Sequence, residues 1–197
     1  MNRHTFKIVI MKTKPFFLLP LALLLFILPW NNHSYGQELK EIRKTFSLEN
    51  IDELETEIEF PVGGLIINTT EDNEVKGIYR YNEERWEPEI TYKEDGGKGY
   101  LDIDADKKGN FDKYDDSDQN IWGISLSKQV IHDLDIEVGA GKSKINLEGC
   151  KIARFKFSMA AGEADINLKS ATIEELDVEA LVGEATIDLS GNRNNDL

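Results

Sequence analysis

Apolar and polar positions recur every 21 residues in the second half of the chain. Residues 131–151, 152–172 and 173–193 align without gaps, and the apolar residues fall at the same places in each unit. A fixed period of this length indicates stacked units that share one hydrophobic core. We therefore expect each unit to be one coil of a stack.

Within a unit, the pattern predicts two short strands and no helix. In the first unit Leu134, Ile136 and Val138 alternate with polar residues, which places them on one face of a strand. A second strand follows around Ile145, and the glycine-rich segment 139–141 lies between the two. Glycine permits a corner with positive φ because it has no Cβ. The sequence predicts a coil of two strands joined at that corner.

Stacking such coils in register gives an all-β fold, a β-solenoid that resembles a single-stranded β-helix. Equivalent positions then form ladders of like side chains. The inward ladders are apolar, and the outward ladder is polar, with Asn146, Asn167 and Asp188.

The first half is irregular β structure. Aligning Gly63 with Gly141 places Ile58 on Ile136 and predicts a degenerate first coil. Further strands are expected at 75–81, 89–92, 100–104 and 121–126. With no Pro- or Ser-rich linker, this half is interpreted as an inserted hairpin layer of one domain.

Residues 1–36 have the pattern of a signal peptide. They contain four basic residues and no acidic residue, and an apolar stretch from Phe16 to Trp30 follows the basic start. That stretch is shorter than the roughly 20 residues of a spanning helix. Ser34 and Gly36 suit cleavage before Gln37. We expect an exported protein (periplasmic, surface-bound or secreted) with one domain at 37–197, the alternative being an uncleaved anchor.

The C-terminus predicts an incomplete stack. Leu197 falls at the first inward position of a fourth coil. The expectation is therefore a truncated chain whose last strand, 184–190, is an exposed edge that favours self-association.

Charge excludes one class of partner. The chain has a net charge of −14, whereas a nucleic-acid binder needs a basic face. Membrane contact is expected only through the signal segment.

The acidic segment 102–118 resembles a calcium loop in part. One frame places Asp102, Asp104 and Asp106 at positions 1, 3 and 5, and a second recovers Gly109 at position 6 and Asp115 at position 12. Each frame also places lysine at a ligand or glycine position. These four aspartates are the metal candidates, and a solvated surface loop is the favoured interpretation.

Catalytic arrangements are scarce. His132 is the only histidine after the signal segment and is expected at the surface, beside an inward Ile131. Cys150 has no second cysteine and is expected to be inert. Carboxylates alternate along 53–59 and 133–137, as in a solvated sheet face or a glycosidase pair. Trp86 and Trp122 suit sugar stacking or the core. We expect no catalytic residue and no cofactor.

Several segments together resemble the toast-rack domain family. They are I-W-G-I-S-L at 121–126, L-D-I-E-V-G-A-G at 134–141, G-E-A-D-I-N-L at 162–168 and G-E-A-T-I-D-L at 183–189. The resemblance covers about residues 40–197. It implies a β-solenoid related to adhesins and to LiaF-type envelope-stress proteins, with no established catalytic residues.

The resemblance and the composition together predict a non-enzymatic protein of the bacterial cell envelope. Binding, adhesion or an envelope-stress response is the expected role, with an envelope protein or a glycan as the partner. The alternative is a carbohydrate-active enzyme or a calcium-dependent glycan-binding module.

Overall fold

The computed structural model describes the backbone of residues 5–9 and the whole of residues 38–105 and 118–192. Ten strands make up the fold: β1 (Thr5–Val9), β2 (Lys40–Ser47), β3 (Glu53–Thr70), β4 (Glu74–Tyr81), β5 (Pro88–Asp95), β6 (Lys98–Ala105), β7 (Asn120–Ser127), β8 (Ile131–Asn146), β9 (Lys151–Asn167) and β10 (Thr172–Asp188). One 3-10 turn, Glu84–Trp86, is the only helical element of the described part. The expected all-β fold is confirmed.

The repeats stack as parallel strands. β8 pairs with β9 and β9 with β10, so that Leu134, Phe155 and Leu176 are direct neighbours across the sheet. Each unit is one long strand rather than two, because pairing continues through the corner, where Ala140, Ala161 and Val182 are partners. We call the part before the corner the first leg (131–138 in β8) and the part after it the second leg (142–146 in β8).

A column of glycines makes the corner. Gly141, Gly162 and Gly183 have φ values of 130°, 134° and 127°, a region that other L-residues rarely adopt. The space is also closed, since a Cβ on Gly183 would lie 1.9 Å from the carbonyl oxygen of Gly162. The bend and the tight stacking of the coils therefore both require glycine.

β3 is the first coil, as the alignment predicted. It runs parallel to β8, with Ile58 opposite Ile136 and Gly63 opposite Gly141. The alternation of the repeats therefore extends into the irregular half.

The coil on the other side of β3 is divided. β6 pairs with the first leg of β3 and β7 with its second leg, both in parallel. Residues 106–117, which join β6 to β7, lie outside the described residues. Antiparallel β5 covers β6, and antiparallel β4 and β2 continue the sheet from β7. The four strands expected in this half are confirmed, and β5 with β6 is the inserted hairpin.

The core lies between the two legs. Fully buried side chains come from both, such as Ile136 and Phe155 from first legs and Ile145 and Ile166 from second legs. The second corner, at 147–150 in the coil of β8, is a hydrogen-bonded turn: the N–H of Cys150 donates to the Leu147 carbonyl over 3.1 Å, and the N–H of Ala171 donates to the Leu168 carbonyl in the same way one coil later.

The edge of the stack differs from the prediction for 184–190. β1 pairs antiparallel with β10 from Glu184 to Asp188, so this second leg is covered. The open edge is the preceding part of β10, for which the described strands provide no second partner. Most of the predicted signal segment, its cleavage site and Leu197 lie outside the described residues.

Candidate binding surfaces

The outer surface of the first legs is acidic. Glu57 of β3 lies between Asp102 of β6 and Asp135 of β8, and Glu59 lies between Asp104 and Glu137 in the next row. Burial, followed by repulsion from Asp102 and Asp135, raises the pKa of Glu57. Carboxylates on adjacent strands thus form one broad negative face.

Cations on β9 partly neutralise this face. Arg154 donates from Nε to Asp133 over 2.8 Å, and Lys156 donates from Nζ to Asp135 over 2.9 Å. These pairs join residues that are 21 apart in the chain. The alternating carboxylates of the sequence accordingly belong to a partly exposed, ion-paired sheet face.

The calcium candidates are divided by this geometry. Asp102 and Asp104 project outward from β6 on the acidic face, while Asp106 and Asp115 lie outside the described residues. Within 38–105 and 118–192, no three His, Cys, Asp or Glu side chains are grouped as a metal site requires.

The outer surface of the second legs contains an apolar groove. Ile66 of β3, Ile78 of β4 and Ile121 of β7 line it, and Gly123 forms its floor because it has no side chain between Ile66 and Ile78. The groove has a volume of about 260 Å³. Ile66 and Ile121 are 38% and 40% exposed. We call this feature the isoleucine groove.

Basic side chains flank the isoleucine groove. Lys76 and Arg80 line it from β4, and Lys144 of β8 is the register partner of Ile66. Arg80 donates to Glu41 over 2.6 Å, and Lys76 donates to Asp72 over 2.8 Å. Lys144 forms no ion pair with a described residue, so its ammonium group is available to a ligand.

The groove escaped prediction because its residues come from three strands that are distant in sequence. The only sign of the groove in the sequence is that Ile66 and Ile121 occupy outward positions, two residues from Gly64 and Gly123. The inward positions of the same strands are also apolar. A strand with apolar residues at both inward and outward positions is equally typical of a strand that is buried on both faces.

His132 is buried, so its predicted surface position is wrong. The register shifts between His132 and Asp133, which places His132 opposite the inward Ile152 and leaves Ile131 40% exposed. Its Nε2–H donates to the Ser127 carbonyl over 2.7 Å. Burial lowers the pKa of His132, so the ring is neutral at pH 7.

The remaining candidates belong to the core. Trp122 is fully buried, with Phe60 and Tyr79 edge-to-face at centroid distances of 5.0 and 5.7 Å. Trp86 is equally buried and carries Arg85 over its ring. Burial raises the pKa of the Cys150 thiol to about 11. These residues are therefore inaccessible to sugar rings or electrophiles.

Comparison with known proteins identifies one sequence family. Residues 35–172 and 153–197 match the family described as the N-terminal domain of toast_rack, DUF2154. A comparison with curated proteins finds no match. None of the described helices is long and apolar enough to cross a membrane.

A solved structure shows a similar fold. A "putative cell adhesion protein" from Clostridium sporogenes ATCC 15579 is 19% identical, with a TM-score of 0.67 over 80% of this chain and 99% of that one. A "putative adhesin" from Parabacteroides distasonis ATCC 8503 is 13% identical, with a TM-score of 0.32 over 72% of this chain and 67% of that one. The first similarity supports the fold, and the second is too low to support an argument.

Proposed function

The chain belongs to the toast-rack family, and we propose that it is an exported, non-enzymatic binding protein that acts in adhesion at the bacterial cell envelope. The cell-adhesion name of the Clostridium sporogenes protein, which has a similar fold, supports this role. The isoleucine groove is the observation that carries the proposal.

Two properties of the groove favour a ligand. Exposed isoleucines on adjacent strands give contiguous apolar surface, which a bound partner would remove from water. Lys144 adds a positive charge that no described residue pairs, on a face opposite to the acidic one, whereas Lys76 and Arg80 are already ion-paired with Asp72 and Glu41. We propose an anionic glycan as the partner, its acidic groups near Lys144 and the apolar faces of its sugars against Ile66 and Ile121.

The proposal is tested by binding to immobilised polygalacturonate, a carboxylated polysaccharide, with neutral dextran as the reference. We expect binding to polygalacturonate that weakens as salt rises, because surface charges are screened. Lys144→Glu and Ile121→Ser should each reduce it about tenfold, equivalent to about 1.4 kcal/mol.

Lys93→Glu is the matched control. Lys93 is an exposed lysine of β5 on the acidic face, so the same charge change there should leave binding unaltered. Equal losses in Lys93→Glu and Lys144→Glu would show that net charge alone governs binding and would refute the groove as the site.

A further inference from the structure

The first leg of β10 is an open strand edge that carries acidic side chains but no lysine or proline. Residues 172–183 pair with β9 on one side and with no described strand on the other. Edge strands usually carry lysine or proline that blocks pairing with another chain. β2 has Lys40, Arg43 and Lys44, and β5 begins with Pro88, whereas no basic residue or proline occurs from 172 to 188.

The core is also incomplete at this edge. Phe155 and Phe157 of β9 are fully buried, with exposures of 0% and 1%. Their partners in β10, Leu176 and Val178, are only partly buried. A further strand beside β10 would cover both side chains with inward-pointing apolar groups.

The outward charges alternate from strand to strand and stop at an acidic strand. Asp133, Arg154 and Glu175 form one row, and Asp135, Lys156 and Asp177 form the next. Both cations bond back to β8, and neither Glu175 nor Asp177 forms a salt bridge with a described residue. Because the outward charges are acidic in β8, basic in β9 and acidic in β10, a strand added beside β10 would continue the alternation with basic residues.

The other leg of this edge already accepts a strand. β1 pairs antiparallel with Glu184–Asp188, and its sequence, T-F-K-I-V, has one lysine and no acidic residue. The edge of β10 is therefore competent for antiparallel pairing.

We propose that residues 174–182 of β10 bind an extended segment of a partner polypeptide by strand addition. The segment has apolar residues at inward positions, against Leu176 and Val178, and Lys or Arg at outward positions, beside Glu175 and Asp177. A second copy of β10 fits poorly, because antiparallel pairing centred on Asp177 sets Glu175 against Glu179 of the other copy. This inference does not depend on the proposed glycan site.

The probe is a fluorescent ten-residue peptide of alternating lysine and valine, with the full-length protein titrated into it and anisotropy measured. Its analogue, methylated on alternate backbone nitrogens, keeps the charge and apolar groups but cannot donate the ladder hydrogen bonds. We expect saturable binding of the first peptide and at least tenfold weaker binding of the analogue.

Charge reversal locates the binding. The double variant Glu175→Lys, Asp177→Lys should weaken the peptide about tenfold, whereas Glu89→Lys, on the exposed acidic strand β5, should not. Far-ultraviolet circular dichroism confirms that each variant is folded. The proposal would be overturned if the peptide and its methylated analogue bound equally well, or if the double variant bound the peptide as tightly as the unaltered protein. It would also be overturned if sedimentation showed that the protein self-associates through this edge and thereby excludes the peptide.

Discussion

The carbonyl oxygen of Gly141 lies where a side chain on Gly162 would begin: a Cβ built on Gly162 would be 2.0 Å from it. The same relationship joins Gly183 to Gly162 and Gly141 to Gly63, so four coils meet through a column of backbone atoms. Each coil therefore needs a glycine at its corner for steric reasons, and in the repeats this need recurs every 21 residues.

Gly162→Ala should destabilise the stack by roughly 3 kcal/mol, because alanine would face both a positive φ and a closed space. Gly149→Ala is the matched control. Gly149 has φ of 76°, but no atom lies within 4 Å of a Cβ there. It should lose only about 1 kcal/mol. Urea unfolding followed by circular dichroism measures both, and equal losses would refute the steric account.

Ile166→Asp should unfold the protein or cost more than about 4 kcal/mol, because it places an unpaired charge in the core. Ile166 is fully buried, whereas its neighbour Asp165 is exposed. Asp165→Ala should change the free energy of unfolding by less than about 0.5 kcal/mol. Comparable tolerance of both changes in chemical denaturation would contradict the assignment of inward and outward positions.

The polar ladder contributes hydrogen bonds as well as solubility. Asn167 donates from Nδ2 to Asn146 Oδ1 over 3.0 Å, and its own Oδ1 accepts the Lys169 N–H over 3.0 Å. Asn167→Leu should therefore cost about 1–3 kcal/mol. Lys169→Ala removes an exposed side chain but keeps the backbone N–H, so it should leave the free energy of unfolding in urea almost unchanged. A larger loss in Lys169→Ala than in Asn167→Leu would contradict the role of the ladder.

Stability should fall as pH decreases below 6.5, owing to His132. Burial lowers the pKa of His132 below that of an ordinary histidine, so at mildly acidic pH the unfolded chain binds a proton that the folded chain does not. The contribution is present above the ordinary histidine pKa and is lost progressively as the pH falls below it. His132→Gln should remove this dependence. Urea midpoints measured from neutral to mildly acidic pH decide the matter, and an unchanged slope in the variant would exclude His132.

The regular coils could be predicted from sequence because each inward position repeats in identical register. The same comparison located β3 as a coil, since Gly63 and Ile58 meet the same steric and apolar demands as Gly141 and Ile136. His132 escaped prediction because a local shift of register exchanges it with Ile131, and a gapless alignment contains no sign of that shift.

Assembly from distant segments was beyond the sequence pattern. β8 follows β7 along the chain, yet each pairs with the second leg of β3, from opposite sides. The isoleucine groove depends on that arrangement and on the antiparallel pairing of β4 with β7. Period and alternation describe neighbours within a strand, whereas this surface depends on which strands are adjacent.

Hydrogen exchange on the full-length protein, with and without polygalacturonate, tests the binding role most directly. Slower exchange at 64–68, 76–80 and 121–125 in the complex is the predicted result, because these segments form the isoleucine groove. Unchanged exchange in all three segments, with bound polysaccharide verified by sedimentation, would contradict the proposed site.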